Sequence, residues 1–220
     1  SVVAVAHRSG AVVWRPDVPE PLLDLSPHTD VRFISVSPDG HWVATGSHFG
    51  TKVKIWDADS GELSRELPVE TGSRVAFSPD GRWLATTGGG CRVWAVETWR
   101  EGTNLGAATA IAFSPEASLL AMATGHGAIR LVDPATSREY ARLEDPNQDN
   151  AYWLGFNVDG AQLVAISSAS ESIHVWDLRT IREQLALMGL DWDLPAYPPA
   201  TIDDERPLRL EVNPGPPAQE

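Results

Sequence analysis

The stretch that decides the fold is Arg74–Trp94, with the sequence RVAFSPDGRWLATTGGGCRVW. Apolar residues alternate with other residues at Val75 and Phe77, and strand-like runs follow at 82–87 and 91–94. The runs are separated by Ser-Pro-Asp-Gly and by three glycines. These residues favour tight turns because Pro presets φ, Asp bonds its own backbone and Gly accepts positive φ. The pattern predicts short antiparallel strands joined by hairpin turns.

The same pattern recurs along the chain. Turns of the Ser-Pro-Asp-Gly kind begin 41, 36 and 43 residues apart, at Ser37, Ser78, Ser114 and Asn157. A second landmark recurs in steps of 42, 38, 38 and 44 residues, at Trp14, Trp56, Trp94, Val132 and Trp176. Two independent landmarks thus share a period of about 40 residues, which indicates a repeat architecture.

At this period, the dipeptides Trp56-Asp57 and Trp176-Asp177 resemble those of the WD-repeat (WD40) β-propeller family. The resemblance covers roughly residues 1–178. It implies an all-β fold with about four and a half to five four-stranded blades, part of a ring of about seven. The units are predicted near residues 1–30, 31–70, 71–106, 107–148 and 149–178.

Three units depart from the family pattern at the Trp-Asp position: Trp14-Arg15, Trp94-Ala95 and Val132-Asp133. The resemblance also implies a buried polar network, which the second unit can offer through His28, Thr45 and Trp56. The family's turn aspartate is missing there. We therefore expect aromatic and β-branched packing, rather than this network, to stabilise most blades.

The segment after the last blade, 179–190, is predicted to be a helix. Thr180 opens a capping-box pattern with the glutamate three residues later. Good helix formers follow, and Gly189 fits the C′ position that ends a helix. The alternative is a fourth strand, because residues 180–183 align with 136–139 of the preceding unit. The lack of period-two alternation favours the helix.

Residues 191–220 form a Pro-rich, acidic tail that we expect to be disordered or extended from about Thr201. Trp192, Leu194 and Tyr197 are expected to pack the start of the tail on the propeller. The helix followed by Leu-Asp-Trp-Asp-Leu-Pro resembles the C-terminal end of certain large bacterial WD-repeat proteins. Some of those proteins carry a Ser/Thr protein kinase domain at their other end.

The outer units are incomplete in this interpretation. The first unit begins inside its second strand, and the last lacks an outer strand if the segment after it is a helix. We expect the chain to be the C-terminal part of a longer protein whose upstream blades complete the ring. Without those blades, an open sheet edge would favour self-association.

Composition excludes several functional classes. The formal net charge of −13 argues against binding to nucleic acid or to an anionic membrane surface, since both need clustered cations. A single cysteine, Cys91, excludes a multi-cysteine zinc site, and we expect it to be a buried, unreactive thiol. The six histidines lack the short spacing of a metal site. We predict no catalytic site, cofactor or metal.

The remaining possibility is a binding surface at one end of the blades. Aromatic and Arg side chains at the starts of the first strands, with turn residues nearby, resemble the anchors of protein interfaces. The candidates are His28, Arg32, Phe33, His48, Phe49, Arg74, His126, Tyr152 and Trp153.

The predicted function is therefore a non-enzymatic, cytoplasmic scaffold that binds a protein or peptide. The alternative is the regulatory region of a bacterial Ser/Thr kinase, or of another signalling protein, whose catalytic domain lies upstream. A third interpretation, a propeller hydrolase, would require carboxylates that converge on the central channel.

Overall fold

The computed structural model describes residues 2–16, 22–167 and 169–199, and this part of the chain forms eighteen strands and one helix. The strands make five antiparallel sheets, and in every sheet neighbours in sequence are neighbours in space. The first two sheets consist of β1 (Val3–His7), β2 (Gly10–Trp14) and β3 (Leu22–Leu25), then β4 (Val31–Val36), β5 (Trp42–Ser47), β6 (Lys52–Asp57) and β7 (Leu63–Pro68).

The third and fourth sheets also have four strands each. They consist of β8 (Val75–Phe77), β9 (Trp83–Thr86), β10 (Arg92–Ala95) and β11 (Arg100–Asn104), then β12 (Ala110–Phe113), β13 (Leu120–Gly125), β14 (Ala128–Val132) and β15 (Glu139–Glu144). The fifth sheet has three strands within the described residues: β16 (Ala151–Phe156), β17 (Gln162–Ser167) and β18 (Ser172–Asp177). The predicted all-β fold of four-stranded blades is confirmed.

The blades are arranged around their first strands. The strand β4 contacts β8, β8 contacts β12, and β12 contacts β16. In the second to fifth blades, a turn of the Ser-Pro-Asp-Gly kind joins the first strand to the second. In the third blade, Ser78 Oγ donates a hydrogen bond to Asp80 Oδ1 at 2.6 Å and accepts one from the Trp83 amide at 2.9 Å. The first strands therefore lie side by side and form the inner wall of the propeller.

The apolar core lies between the blades. One cluster joins Ile55 and Leu67 of the second blade to Phe77 and Leu84 of the third, and the other clusters join the remaining neighbours in the same way. Four of the five repeated landmarks belong to these clusters. Each of them packs between its own blade and the preceding one: Trp56, Trp94, Val132 and Trp176. Trp14 differs, because 45% of its surface is exposed. Its blade has no preceding neighbour within the described residues.

A repeated aspartate lies at the end of the third strand or directly after it in three blades, and in two of them it closes the turn that follows. The Asp57 and Asp133 carboxylates each accept hydrogen bonds from backbone amides two and three residues later. Four residues after each aspartate, Gly61 and Ser137 adopt positive φ angles of 74° and 65° and complete the turn. The fourth strand then pairs with the third.

In the fifth blade, the same aspartate begins a helix instead. Asp177 Oδ1 accepts a hydrogen bond from the Thr180 amide at 2.9 Å and is the N-cap of α1 (Leu178–Leu187). The equivalent of Gly61 is Ile181, whose β-branched side chain disfavours positive φ, so the turn cannot close in the same way. The helix was correctly predicted, but the capping box at Thr180 was wrong because Asp177 takes the cap.

Gly189 is the C′ residue that follows the end of the helix, as expected, and its φ is +71°. The Gly189 amide donates to the Ala186 carbonyl at 3.0 Å and the Leu190 amide donates to the Leu185 carbonyl at 2.9 Å. These two bonds define a Schellman motif, which satisfies carbonyl groups at the end of the helix. The chain then turns back towards the blades.

The start of the tail packs on the propeller, as predicted. Trp192 is 7% exposed and belongs to the core cluster of the fourth and fifth blades, with Leu194 and Tyr197 partly buried beside it. The predicted disorder from about Thr201 lies outside the described residues.

A buried guanidinium holds this segment in place. The Arg182 side chain is 7% exposed and donates to both carboxylate oxygens of Asp191, at 2.8 and 3.0 Å. These hydrogen bonds hold the pKa of Asp191 below its ordinary value. Arg182 also donates to the carbonyl oxygens of Trp192, Leu194 and Pro195 at 3.2, 2.6 and 2.6 Å. One charged side chain therefore satisfies several backbone acceptors in a segment without regular secondary structure.

We predict that Arg182→Leu releases the segment from the fifth blade and lowers the free energy of unfolding by about 3 kcal/mol, because the buried acceptors lose their donor. Urea unfolding and the emission maximum of tryptophan fluorescence would measure both effects. Arg65→Leu, at an exposed position, should change the stability by less than about 0.5 kcal/mol. Equal stability of both variants would show that Arg182 does not hold the segment.

Candidate functional site

The predicted binding residues lie where the first strands begin. At this end, the chain segments that connect one blade to the next approach the turns between second and third strands. The Glu70 amide, for example, donates to the Gly88 carbonyl at 3.1 Å. The Ser-Pro-Asp-Gly turns lie at the opposite end of the sheets. We call the connecting end the loop face, defined by the segments 69–74, 105–109 and 145–150 and the turns 48–51, 87–91 and 126–127.

Four of the candidates line one cavity of about 300 Å³ on the inner wall of the propeller. The cavity is bordered by the first strands of four consecutive blades, or by the residues directly before them. We call its polar and aromatic part the inner-strand surface, defined as Arg32, Phe33, Arg74 and Trp153. Residues that lie about 40 positions apart in the sequence, or multiples of that distance, thus form a single surface.

The inner-strand surface contains a partly buried cation. The Arg74 guanidinium carbon lies 4.7 Å from the centre of the Phe33 ring, a cation–π geometry. Burial lowers the pKa of Arg74 from its ordinary value, and the nearby Tyr152 opposes this shift. Arg32 is more exposed and its Nε donates to Asp30 Oδ1 at 3.3 Å. The surface therefore presents two guanidinium groups, one of them packed on an aromatic ring.

Trp153 adds an accessible aromatic side chain. Its indole is 44% exposed and lies against the backbone of Gly155, where a Cβ atom would be 2.3 Å from the indole Cη2 atom. A glycine is therefore needed at 155 for this indole position. Tyr152, which is 45% exposed, does not line the cavity. The role of Gly155 could not be predicted from the sequence, because the contact depends on the side-chain direction of a residue two positions earlier.

The other candidates occupy separate turns of the loop face. His48 and Phe49 pack edge to face, with ring centres 4.2 Å apart, and Phe49 is 76% exposed. His126 adopts a positive φ of 52° in the turn between β13 and β14 and lines a second, open cavity of about 910 Å³. Charged side chains such as Arg142 and Glu144 line much of that cavity. The structure does not bring these three residues to the inner-strand surface.

His28 belongs to the interior rather than to the surface. It is 7% exposed, and its Nδ1 lies 2.7 Å from Thr45 Oγ1. Thr45 Oγ1 also accepts a hydrogen bond from Trp56 Nε1 at 2.8 Å, which completes the polar network expected in the second blade. Burial, followed by the charge of Lys54, lowers the pKa of His28. The inclusion of His28 among the surface residues was therefore wrong, because its ring nitrogen is used inside the blade.

Two further features concern reactive or metal-binding side chains: the single thiol and a cluster of aspartate and histidine. Cys91 is fully buried, and burial raises its pKa to about 12, so it is the unreactive thiol that the sequence predicted. The structure also brings together Asp145, Asp149 and His174, which the sequence analysis did not identify. The alternate spacing of Asp145, Asn147 and Asp149 was a signal in the sequence, but the histidine is contributed by another blade.

The fold and the sequence repeats define a β-propeller of the WD-repeat type, and comparisons with known proteins agree. The family model described as WD domain, G-beta repeat matches residues 19–57 and 67–95. A solved structure titled Kuenenia stuttgartiensis Hydrazine Synthase aligns with a TM-score of 0.62 at 20% identity, covering 69% of this chain and 47% of that chain. This likeness concerns the fold alone.

Several curated proteins are similar in sequence. The periodic tryptophan protein 2 homolog of Dictyostelium discoideum is 27% identical over 179 residues, which are 76% of this chain and 19% of that protein. Apoptotic protease-activating factor 1 of Rattus norvegicus is 32% identical over 114 residues, 43% of this chain and 9% of that protein. Transducin beta-like protein 3 of Rattus norvegicus is 32% identical over 154 residues, 61% of this chain and 19% of that protein.

The matching family model and the similar proteins support a WD-repeat family for this chain. It spans less than a fifth of the length of the curated relatives that it matches. In the part of the chain that the structure describes, no helix has both the length and the apolar character needed to cross a membrane.

We predict that the His28 network makes stability depend on pH. The folded state keeps the imidazole neutral, whereas the unfolded imidazole binds a proton near its ordinary pKa of 6.5. Acid therefore favours the unfolded state, and thermal stability should fall as pH drops from about 7.5 to about 5.

His28→Gln cannot titrate in this range, so we expect a shallower decline of melting temperature with pH, measured by circular dichroism. His48→Gln, at an exposed turn, should retain the decline of the unaltered chain. A His28→Gln variant with the same pH dependence as the unaltered chain would exclude His28 as the cause.

Proposed function

We propose that the chain is a non-enzymatic protein-interaction module that docks a partner protein on the inner-strand surface. WD40 repeats in general mediate protein–protein interaction, and this coarse function follows from the family. The observation that carries the finer proposal is the convergence of Arg32, Phe33, Arg74 and Trp153 at one cavity. Arg and aromatic side chains around a concave site are the usual anchors of protein interfaces.

The chemistry of the surface favours an acidic segment of the partner. Arg74 packs on Phe33, and no ion pair joins it to a carboxylate within the described residues. Its guanidinium can therefore donate to an incoming carboxylate, with two parallel hydrogen bonds as the strongest arrangement. Trp153 and Phe33 can cover the apolar part of the same segment. The chain as a whole carries a net charge of −13, so this surface offers a local attraction that most of the chain does not.

The absence of catalysis is part of the proposal. The one thiol of the chain is a poor nucleophile because it is buried and has a pKa of about 12. A cytoplasmic location is likewise proposed, from the composition. The alternative function, the regulatory region of a kinase or another signalling protein, depends on a catalytic domain outside this chain and stays a prediction.

We predict that the triple variant Arg32→Ala, Arg74→Ala and Trp153→Ala binds the partner at least tenfold more weakly, because interface anchors each contribute about 2 kcal/mol or more. The tagged chain would first capture partners from a lysate of its source organism. The affinity of the purified partner would then be measured by calorimetry.

A matched control removes two arginines and one apolar side chain at the opposite end: Arg82→Ala, Arg138→Ala and Val158→Ala. This control should bind like the unaltered chain. If the inner-strand variant folds correctly and retains its affinity, docking occurs elsewhere. If both variants lose affinity equally, the effect does not come from the inner-strand surface.

A further inference from the structure

A separate polar cluster lies between the fourth and fifth blades. Asp145 and Asp149 belong to the segment that connects β15 to β16, whereas His174 lies on β18. His174 Nε2 is 3.6 Å from Asp145 Oδ2 and 3.9 Å from Asp149 Oδ2. One potential ligand atom from each residue lies within 4.8 Å of the other two. Side chains from two blades thus surround one point.

The point they surround is a small cavity with a buried, unpartnered hydroxyl group. The cavity has a volume of about 10 Å³, and all three polar residues line it. Ser167, which is 2% exposed, lines it as well, and its Oγ has no hydrogen-bond partner among the described residues. A buried hydroxyl without a partner is costly, so this group indicates a ligand in the cavity.

The position of His174 carries a permanent positive charge in the second, third and fourth blades. In the register of the sheets, the position of His174 is held by Lys54, Arg92 and Arg130, and each of these pairs with a glutamate. His174 places an imidazole where these three blades place a permanently charged side chain. The carboxylates of Asp145 and Asp149 are only 6% and 18% exposed, and removing them from water is expensive without a cation.

The connecting segment is already arranged around the cluster. The Asn147 amide donates to Asp145 Oδ1 at 3.0 Å, and the Asp149 amide donates to Asp145 Oδ2 at 3.2 Å. Gly127 lies against the segment, where a Cβ atom would be 2.6 Å from the Gln148 Cα atom. The backbone therefore fixes the direction of the Asp145 carboxylate before any ligand binds, which lowers the cost of binding.

We propose that Asp145, Asp149 and His174 bind a divalent transition-metal ion of the zinc type between the two blades. Two carboxylate oxygens and one imidazole nitrogen form a donor set that suits Zn²⁺, with a water molecule as the fourth ligand. Ser167 Oγ forms a hydrogen bond with that water. The ion replaces the 2.6 Å contact between His174 Nε2 and Ser172 Oγ. It supplies the positive charge that Lys or Arg supplies in the second, third and fourth blades and joins the connecting segment to β18.

Titration of the chelator-treated full chain with ZnCl₂ tests this proposal, with calorimetry for stoichiometry and thermal unfolding for stability. We expect one ion per chain, bound with a dissociation constant below about 0.1 mM, and a rise in melting temperature of several degrees at saturation. Asp149→Asn should weaken binding at least tenfold. Ser167→Ala should weaken it less, because the serine contacts only the bound water.

His174→Lys provides the matched variant that keeps the fold. It places at this position the side chain that Lys54 provides in the second blade, so it should fold without metal and lose the zinc effect. His48→Ala, at an exposed turn, should bind zinc like the unaltered chain. The proposal would be overturned if the unaltered chain showed no one-site zinc binding. It would also be overturned if Asp149→Asn and His174→Lys bound zinc as tightly as the unaltered chain. Ca²⁺ or Mg²⁺ binding that survives in His174→Lys would also overturn it, since it would show an oxygen-only site.

Discussion

The structure depends on one constraint, which is that each blade can bury its apolar side chains only against its neighbours. The four core clusters of the described residues therefore lie between sheets, and three of the five repeated landmarks are almost fully buried there. The same constraint explains why the first and fifth blades expose apolar side chains, since each has a face without a neighbouring blade among the described residues. Val5, Trp14, Ile173 and Val175 are each 45% exposed or more. In a repeat architecture, stability is close to a sum over such neighbouring contacts.

The same arrangement produces the inner-strand surface. A blade places its first strand beside that of the next blade, so residues in four successive units meet around one cavity. The scaffold fixes where these side chains lie, whereas their identities differ from blade to blade and determine recognition. Arg74 shows both the position set by the scaffold and the identity that determines recognition. Its blade places it beside Phe33 of the preceding blade, and its guanidinium remains available to bind a partner.

Much of the fold could be predicted from the sequence because the repeat is local. Turn residues and alternating side chains located the strands, and Gly189 correctly marked the end of the helix. The features that were missed depend on contacts between repeats or on competing local geometry. His28 was assigned to the surface because its burial requires Thr45 from another strand. The cap at Asp177 was missed because Ile181, four residues later, decides between a turn and a helix. The cluster around His174 combines two blades and therefore has no motif in one stretch of sequence.

Site-specific photocrosslinking is the most direct test of the claim that recognition occurs on the inner wall. A photoreactive phenylalanine derivative would replace Trp153 in one sample and Val158, an exposed residue at the opposite end of the blades, in another. We expect crosslinks to the purified partner from position 153 and none from position 158. Crosslinks from position 158 alone would exclude docking on the inner wall, because the partner would then contact the Ser-Pro-Asp-Gly end of the propeller.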